Sequence, residues 1–207
     1  MPGVKGFISF EGIEGSGKST QAKLLAEHLR TNGYTVITTV EPGGTGIGQK
    51  IRSLLLEPRN HMDPLTELLL YYASRAQHVR EVIYPALLKN TVVITDRFTD
   101  STLAYQGYAR GLDLSIIHAL DEIVVPDLKP FLTFLLDLDV TEGLRRNRQA
   151  RKEDRFELET TEFHNRVRQG FLRIAAEEPK RVKVINASRS AEEVSKDIIK
   201  GIEESWR

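Results

Sequence analysis

Apolar positions along this chain fall into short β-branched runs that alternate with stretches of helical spacing. Gly6 to Glu11 reads as a buried strand. Ala22, Leu25 and Leu29 then recur at the interval of a helix from about Ser19 to Arg30. Thr35 to Val40 is β-branched and predicts a second strand, and a helix after Gly48 carries Ile51, Leu54 and Leu55 on one side. From Pro64 to about Leu88 the spacing predicts one long helix with a core stripe of Leu65, Leu68, Tyr72, Ala76, Val79 and Ile83. Thr91 to Asp96, Leu132 to Asp137 and Val182 to Ile185 read as strands. Phe163, Val167, Phe171 and Ile174 mark one further helix, and Val194, Ile198, Ile202 and Trp206 mark the last.

Five strands separated by helices predict an α/β fold: a parallel sheet with helices on both faces. The 207 residues suit one well-cored domain spanning 1–207, with no repeat and no Ser/Gly linker to divide it. Hydrophobic residues make up 40% and charged residues 28%, an ordinary globular balance. Lys plus Arg and Asp plus Glu both number 29, so no overall field exists to hold nucleic acid. Any phosphate must be held by local clusters. Cysteine is absent, which excludes disulfides, thiolate metal sites and a cysteine nucleophile. No apolar run approaches the ~18 residues of a membrane span, and no signal-like segment opens the chain, so a cytoplasmic address is expected.

The chemistry starts between the first strand and the first helix. Gly12-Ile13-Glu14-Gly15-Ser16-Gly17-Lys18-Ser19, with Thr20 next on the helix, fits the spacing G-x-x-x-x-G-K-[ST]. Glycines let backbone N–H groups turn inward around phosphate oxygens. Lys18 would set a point charge on the β- and γ-phosphates of ATP, Ser19 would ligate Mg²⁺, and the following helix points its N-terminus at the anion. Val92 to Asp96 is an apolar strand that delivers a carboxylate at its C-terminal end, where ligands gather in open α/β sheets. Asp96 is therefore a second candidate for Mg²⁺, and Arg97 is placed to meet an acceptor phosphate.

Further strings narrow the class. Glu41-Pro42-Gly43-Gly44-Thr45, Tyr71-x-x-x-Arg75, Asp96-Arg97-Phe98 and Ala104-Tyr105-Gln106-Gly107 together resemble the thymidylate kinase family over nearly the whole chain. The resemblance implies a P-loop nucleoside monophosphate kinase fold with a short lid at about 141–157. It also implies transfer of a phosphoryl group from Mg·ATP to dTMP, and a homodimer. Tyr71 resembles the family's aromatic that stacks on thymine, and Arg75 the arginine that hydrogen-bonds the base. Thr102 and Gln106 resemble the polar residues at the thymine edge, and Tyr105 the ring against the deoxyribose. Arg97 resembles the arginine gripping the acceptor phosphate, Glu14 the acidic contact to the acceptor's sugar and phosphate, and Arg52 another arginine of that pocket. The chain departs from the family in carrying Val40 where Arg often precedes the Glu-Pro-Gly-Gly string, Gln49 at an often acidic place, and Tyr71 for the usual Phe.

Arg145 to Arg155, RRNRQARKEDR, is too polar for core and lies between helical patterns. Taken alone it is a solvated face. The resemblance makes it the lid: the P-loop positions Gly15 and Ser16 carry no basic residue, and one subclass of the family supplies its catalytic arginine from the lid. Arg148, Arg151 and Arg155 are the candidates. The acceptor remains open between dTMP and another small molecule such as a deoxynucleoside. A nucleotide-dependent switch is the reading from another class, although no guanine-reading N-K-x-D string occurs.

Overall fold

In the computed structural model, residues 6–149 and 154–206 are described. Strands β1 (Phe7–Glu11), β2 (Val36–Val40), β3 (Val92–Asp96), β4 (Leu132–Asp137) and β5 (Val182–Asn186) form one parallel sheet in the order β2-β3-β1-β4-β5. All five lie within a residue or so of the runs expected from the sequence. The helices α1 (Lys18–Thr31), α2 (Gly46–Leu56), α8 (Thr161–Glu177) and α9 (Ala191–Trp206) likewise follow the apolar spacing.

β1 is flanked by β3 on one side and β4 on the other, so the chain leaves it at the point where the strand order reverses. Phe10 pairs with Asp96 and Val40 also pairs with Asp96, which brings the C-terminal ends of β1, β2 and β3 level at one edge. Everything the candidate site needs is released from that edge. The strand faces are packed differently. Phe10 and Phe134 stack with ring centroids 5.5 Å apart, on the side where Gly201 lets α9 close on Phe134. On the other face Phe7 and Val93 meet Val79, Ile83 and Leu87, and Ser9 and Thr133 share a 2.7 Å hydrogen bond.

The expected long helix is present from Pro64 to Leu88, in three parts. α3 (Pro64–His78) is capped by Asp63 and runs through a wider π-type turn, Val79–Ile83, into α4 (Tyr84–Leu88). Leu68, Tyr72, Val79 and Ile83 are buried as the stripe requires. Leu65 is not: it is 44% exposed in the first turn, and Ala76 is only half-buried. Instead Glu67, Ser74, Arg75 and His78 are buried on the same helix. Hydrophobic periodicity cannot report charges that are buried because they are paired.

Helices the apolar pattern did not reveal are α5 (Thr99–Thr102), continuing as a π-type segment Leu103–Ala109, and α6 (Leu114–Val124). The first is polar because it faces the site. In α6 the pattern is blurred by outward-facing Ile116 and Ile123, 41% and 71% exposed. Finally, the first half of the Arg-rich stretch is helical, in α7 (Val140–Gln149).

Candidate active site

The P-loop leaves β1 with Gly12, Gly15 and Gly17 at positive φ, the region L side chains rarely adopt. Gly15 is required twice over, since a Cβ there would lie 2.1 Å from the Gly143 carbonyl oxygen of α7. Gly143 reciprocally leaves no room toward Glu14. Helix α7 thus sits backbone to backbone on the phosphate loop. Gly17 at the start of α1 makes no side-chain cap, so the first N–H groups of that helix stay free for an anion.

Lys18 is buried, 7% exposed, rather than reaching freely into the cradle. Its Nζ donates to the carbonyls of Gly12 at 3.0 Å and Ile13 at 2.8 Å. Burial and the nearby Arg97 charge pull its pKa down to about 8. Ser19 Oγ donates to Asp96 Oδ2 at 2.5 Å, so a hydroxyl from α1 and a carboxylate from β3 converge at the mouth of the loop. These are hard oxygen donors of the kind Mg²⁺ takes, and phosphates and waters would complete its shell. Among the described residues no group of three or more His, Cys, Asp or Glu side chains could hold a metal alone.

Beyond the loop lies a cleft of about 320 Å³. Arg97 crosses it in a left-handed backbone conformation, φ 73°, that is uncommon outside glycine and found at functional sites. Its fork donates to Gly12 O at 3.0 Å, Ser101 Oγ at 3.1 Å, Glu14 Oε1 at 2.9 Å and the Tyr105 hydroxyl at 3.1 Å. Tyr105 also donates to Glu14 Oε1 at 2.7 Å. Burial works to raise the Glu14 pKa, but nearby His164, the charges of Arg97 and Lys18, and the Tyr105 hydroxyl outweigh it and hold the carboxyl well below its ordinary range. His164 is buried without a hydrogen bond to either ring nitrogen, and Nδ1 approaches Glu14 Oε2 at 3.5 Å.

At the far end Arg75, 2% exposed, donates through Nε to Glu41 Oε2 at 2.8 Å and through Nη2 to Thr102 Oγ1 at 2.9 Å and Phe98 O at 3.2 Å. Its third nitrogen, Nη1, is buried without a partner. Glu41 also receives His78 Nδ1 at 2.9 Å, and His78 in turn lies 2.6 Å from Thr39 Oγ1. Arg52 reaches the same rim and donates to Pro42 O at 2.8 Å. Gln106 Nε2 is held by Glu67 Oε1 at 2.7 Å.

Of the residues singled out from sequence, Glu14, Lys18, Ser19 and Thr20 line the phosphate end of this cleft, with Gly15 and Gly17 beside them. Gly12, Ile13 and Ser16 belong to the loop behind that surface. Arg52, Tyr71, Arg75, Asp96 and Arg97 line the cleft too, as do Thr102, Tyr105 and Gln106. Of the candidate arginines of the Arg-rich stretch, Arg148 and Arg155 are not brought there. Arg148 is exposed on α7 and does not line the cleft. Arg155 does not line the cleft either: its Nη2 binds Glu67 Oε2 at 2.5 Å and its Nε donates to Leu55 O at 3.0 Å. Arg151 lies outside the described residues. Arg146 and Asn147 reach the cleft instead. Arg146 is tied to Glu142 and to Ala187 O at 2.7 and 3.0 Å.

Sequence reasoning also passed over Glu11. Fully buried, it accepts Phe98 N–H at 2.7 Å and Ser101 Oγ at 2.5 Å, fixing the turn that carries Arg97. Burial and neighbouring Asp100 push its pKa up to about 8. A carboxylate ending an apolar strand was the only available signal, the same one that found Asp96.

The family model described as Thymidylate kinase matches residues 10–198. The chain belongs to the thymidylate kinase family. It is 52% identical over 195 residues to the thymidylate kinase of Syntrophotalea carbinolica, covering 91% of this chain and 90% of that protein. It is 48% identical over 198 residues to that of Caldanaerobacter subterraneus subsp. tengcongensis, covering 96% and 95%. The crystal structure of thymidylate kinase from Ehrlichia chaffeensis superposes with a TM-score of 0.76 at 40% identity, over 94% of this chain and 96% of that one. The five-stranded sheet and P-loop expected from sequence are therefore those of a thymidylate kinase. No helix among the described residues is long and apolar enough to cross a membrane. Val40 ends β2 outside the cleft lining, and Arg52 and Arg97 line the cleft.

Proposed function

We propose that this chain is a cytoplasmic kinase that phosphorylates dTMP to dTDP with Mg·ATP, in the supply of dTTP. The observation that carries the reading is one continuous cleft with Lys18 at one end, Arg97 in the middle and the unpartnered Nη1 of buried Arg75 at the other. Those positions match in turn a triphosphate, an acceptor phosphate and an acceptor base.

The free N–H groups at the start of α1 and Lys18 hold the ATP phosphates, and Ser19 with Asp96 would hold Mg²⁺. When bound, Mg²⁺ neutralises charge on the β- and γ-phosphates. Arg97 offers its fork to the acceptor phosphate, where a bidentate guanidinium fits better than an ammonium would. That phosphate is already ionised near neutral pH, so its oxygen attacks the γ-phosphorus in line without a general base or a covalent enzyme intermediate. Glu14 and Tyr105 brace Arg97 and border the sugar. Tyr71 stacks on thymine, Arg75 donates to its O4, and Thr102 and Gln106 close the base edge. The lid excludes water that would otherwise take the phosphoryl group, and Arg148 or Arg151 brings charge to it on closure. The functional unit is a homodimer.

The test is a coupled ADP-release assay with Mg·ATP against a panel of nucleoside monophosphates and deoxynucleosides. The expected result is ADP formation only when acceptor is present, with dTMP first. dUMP should remain a detectable substrate, because a single methyl is worth only ~1–3 kcal/mol of discrimination. Higher kcat/KM for dCMP, AMP or thymidine, or acceptor-independent ADP release, would sink the assignment.

A further inference from the structure

Helix α3 buries a glutamate next to its apolar stripe. Glu67 has no exposed surface, and its two oxygens collect donors from three other places in the chain. Gln106 Nε2 donates to Oε1 at 2.7 Å. Arg110 donates from Nε and Nη2 at 3.3 Å each, while its Nη1 pairs with Glu159 at 2.6 Å. Arg155 donates from Nη2 to Oε2 at 2.5 Å. Arg155 follows the lid helix, and its backbone N–H and Nε are pinned to the carbonyls of Leu56 and Leu55 at the end of α2, at 3.1 and 3.0 Å.

A buried ion pair is weak evidence for stability, since apolar residues of the same volume often serve as well; its better-attested use is to fix one arrangement. What is fixed here is an amide. A carboxylate offers only acceptors, so Gln106 must turn its NH₂ toward Glu67, which commits one amide hydrogen there and leaves Oε1 as its free acceptor. Gln106 lines the cleft beside Arg75 and Thr102. Turned the other way, it would present a donor to whatever binds there.

We propose that Glu67 is a positioning residue through which Arg155, at the base of the lid, sets the hydrogen-bond polarity of Gln106 at the acceptor base. The proposal rests on the reading that the base occupies this end of the cleft. With Oε1 presented, a pyrimidine carrying a ring N–H, such as thymine, is matched. One carrying a lone pair there, such as cytosine, is opposed. Arg155 then acts on acceptor choice and not on the transferring phosphoryl group.

The experiment compares Arg155→Met, Gln106→Ala and the double variant with dTMP and dCMP at saturating ATP. Arg155→Met should raise the KM for dTMP about tenfold, more than it lowers kcat, and should shrink the dTMP-over-dCMP ratio of kcat/KM by a similar factor. On the Gln106→Ala background it should do neither, because the group it positions is gone. Arg155→Lys, which keeps a charged donor, should recover part of the ratio. Effects that simply multiply in the double variant overturn the relay, and so does a loss confined to kcat. The same cycle is read in the urea midpoint of the ligand-free protein, where the two sites should be coupled through Glu67 whichever acceptor is used; additivity there also overturns it. A wild-type enzyme that prefers another monophosphate would remove the functional reading alone and leave the stability cycle to decide the relay.

Discussion

The two ends of the cleft are built from different materials. At the phosphate end the working groups are backbone: left-handed glycines, uncapped N–H groups of α1, and one lysine held by the carbonyls of its own loop. Its partners lie within six residues of Lys18 along the chain. At the base end the working groups are side chains, buried and paired over long separations: Arg75 with Glu41 across 34 positions, Gln106 with Glu67 across 39, Arg155 with Glu67 across 88. The first end needs geometry that only glycine and a helix terminus give. The second needs a whole folded framework to make buried charge tolerable. Activity and stability should therefore come apart in opposite ways at the two ends.

Lys18→Ala gives the widest separation. Losing a charge on the transferring phosphates removes ~3 kcal/mol or more of transition-state stabilisation, a fall in kcat above a hundredfold. Burial already works against the Lys18 ammonium, so its removal should leave the urea midpoint unchanged or raised. A kcat within threefold of wild type at saturating ATP would break the phosphate-end reading. Glu41→Ala is the counterpart. It leaves the Arg75 guanidinium buried beside Thr102 and Phe98 without its paired carboxylate, and breaking a buried pair costs about 3 kcal/mol of stability. Chemical denaturation should show that loss with ATP affinity retained in the folded fraction. A midpoint equal to wild type would mean the base end is not the paired framework described above.

The same contrast explains what could be read from sequence. Local strings were legible: the strand-loop-helix at Gly12 to Ser19, the carboxylate ending β3 at Asp96, and five strands from their apolar runs. Tyr71, Arg75, Thr102 and Gln106 were found by resemblance, but not the pairing of Arg75 with Glu41 or of Gln106 with Glu67. Nothing in the spacing of Glu41, Glu67 or His78 marks them as buried, because a polar or charged residue is ordinarily solvated, whether in a loop or on a helix. The lid shows the limit from the other side. Its charge run is correctly polar, yet composition could not tell that Arg155 turns inward to Glu67 while Arg148 faces solvent.

Arg75→Lys sharpens the base end without emptying it. The ammonium keeps a charge for Glu41 but gives up the planar fork, and with it the unpartnered Nη1 donor. Thymine presents an acceptor at position 4 and cytosine an amino donor. Losing one such match should cost about tenfold in kcat/KM for dTMP and narrow the dTMP-over-dCMP ratio by a similar factor. Parallel assays with both acceptors check it, and an unchanged ratio would show that Arg75 braces Glu41 and reads nothing.

The mildest effect concerns pH at the phosphate end. Lys18 sits at about 8 against an ordinary 10.5, chiefly from burial and then from the Arg97 charge. Phosphate favours the ammonium form, so the pKa in the ATP complex must lie above that of the free enzyme. Between those values the free enzyme is partly neutral and the complex charged, so binding takes up a proton. Affinity for Mg·ATP should accordingly be flat below pH 7 and fall as pH rises through about 8, by up to tenfold for each further unit. The ATP phosphates do not confound this, because their last ionisation, about 6, is complete before the window opens. Titration calorimetry in two buffers of different ionisation heat measures the uptake directly: near zero at pH 7, and approaching one proton at pH 9. Constant affinity across that range would mean that the carbonyls of Gly12 and Ile13, with Asp96 and Glu14 nearby, keep Lys18 charged despite its burial. At the base end burial works against the Arg75 guanidinium, but the Glu41 charge outweighs it and holds its pKa above the ordinary range, so Arg75 should contribute no such dependence for dTMP.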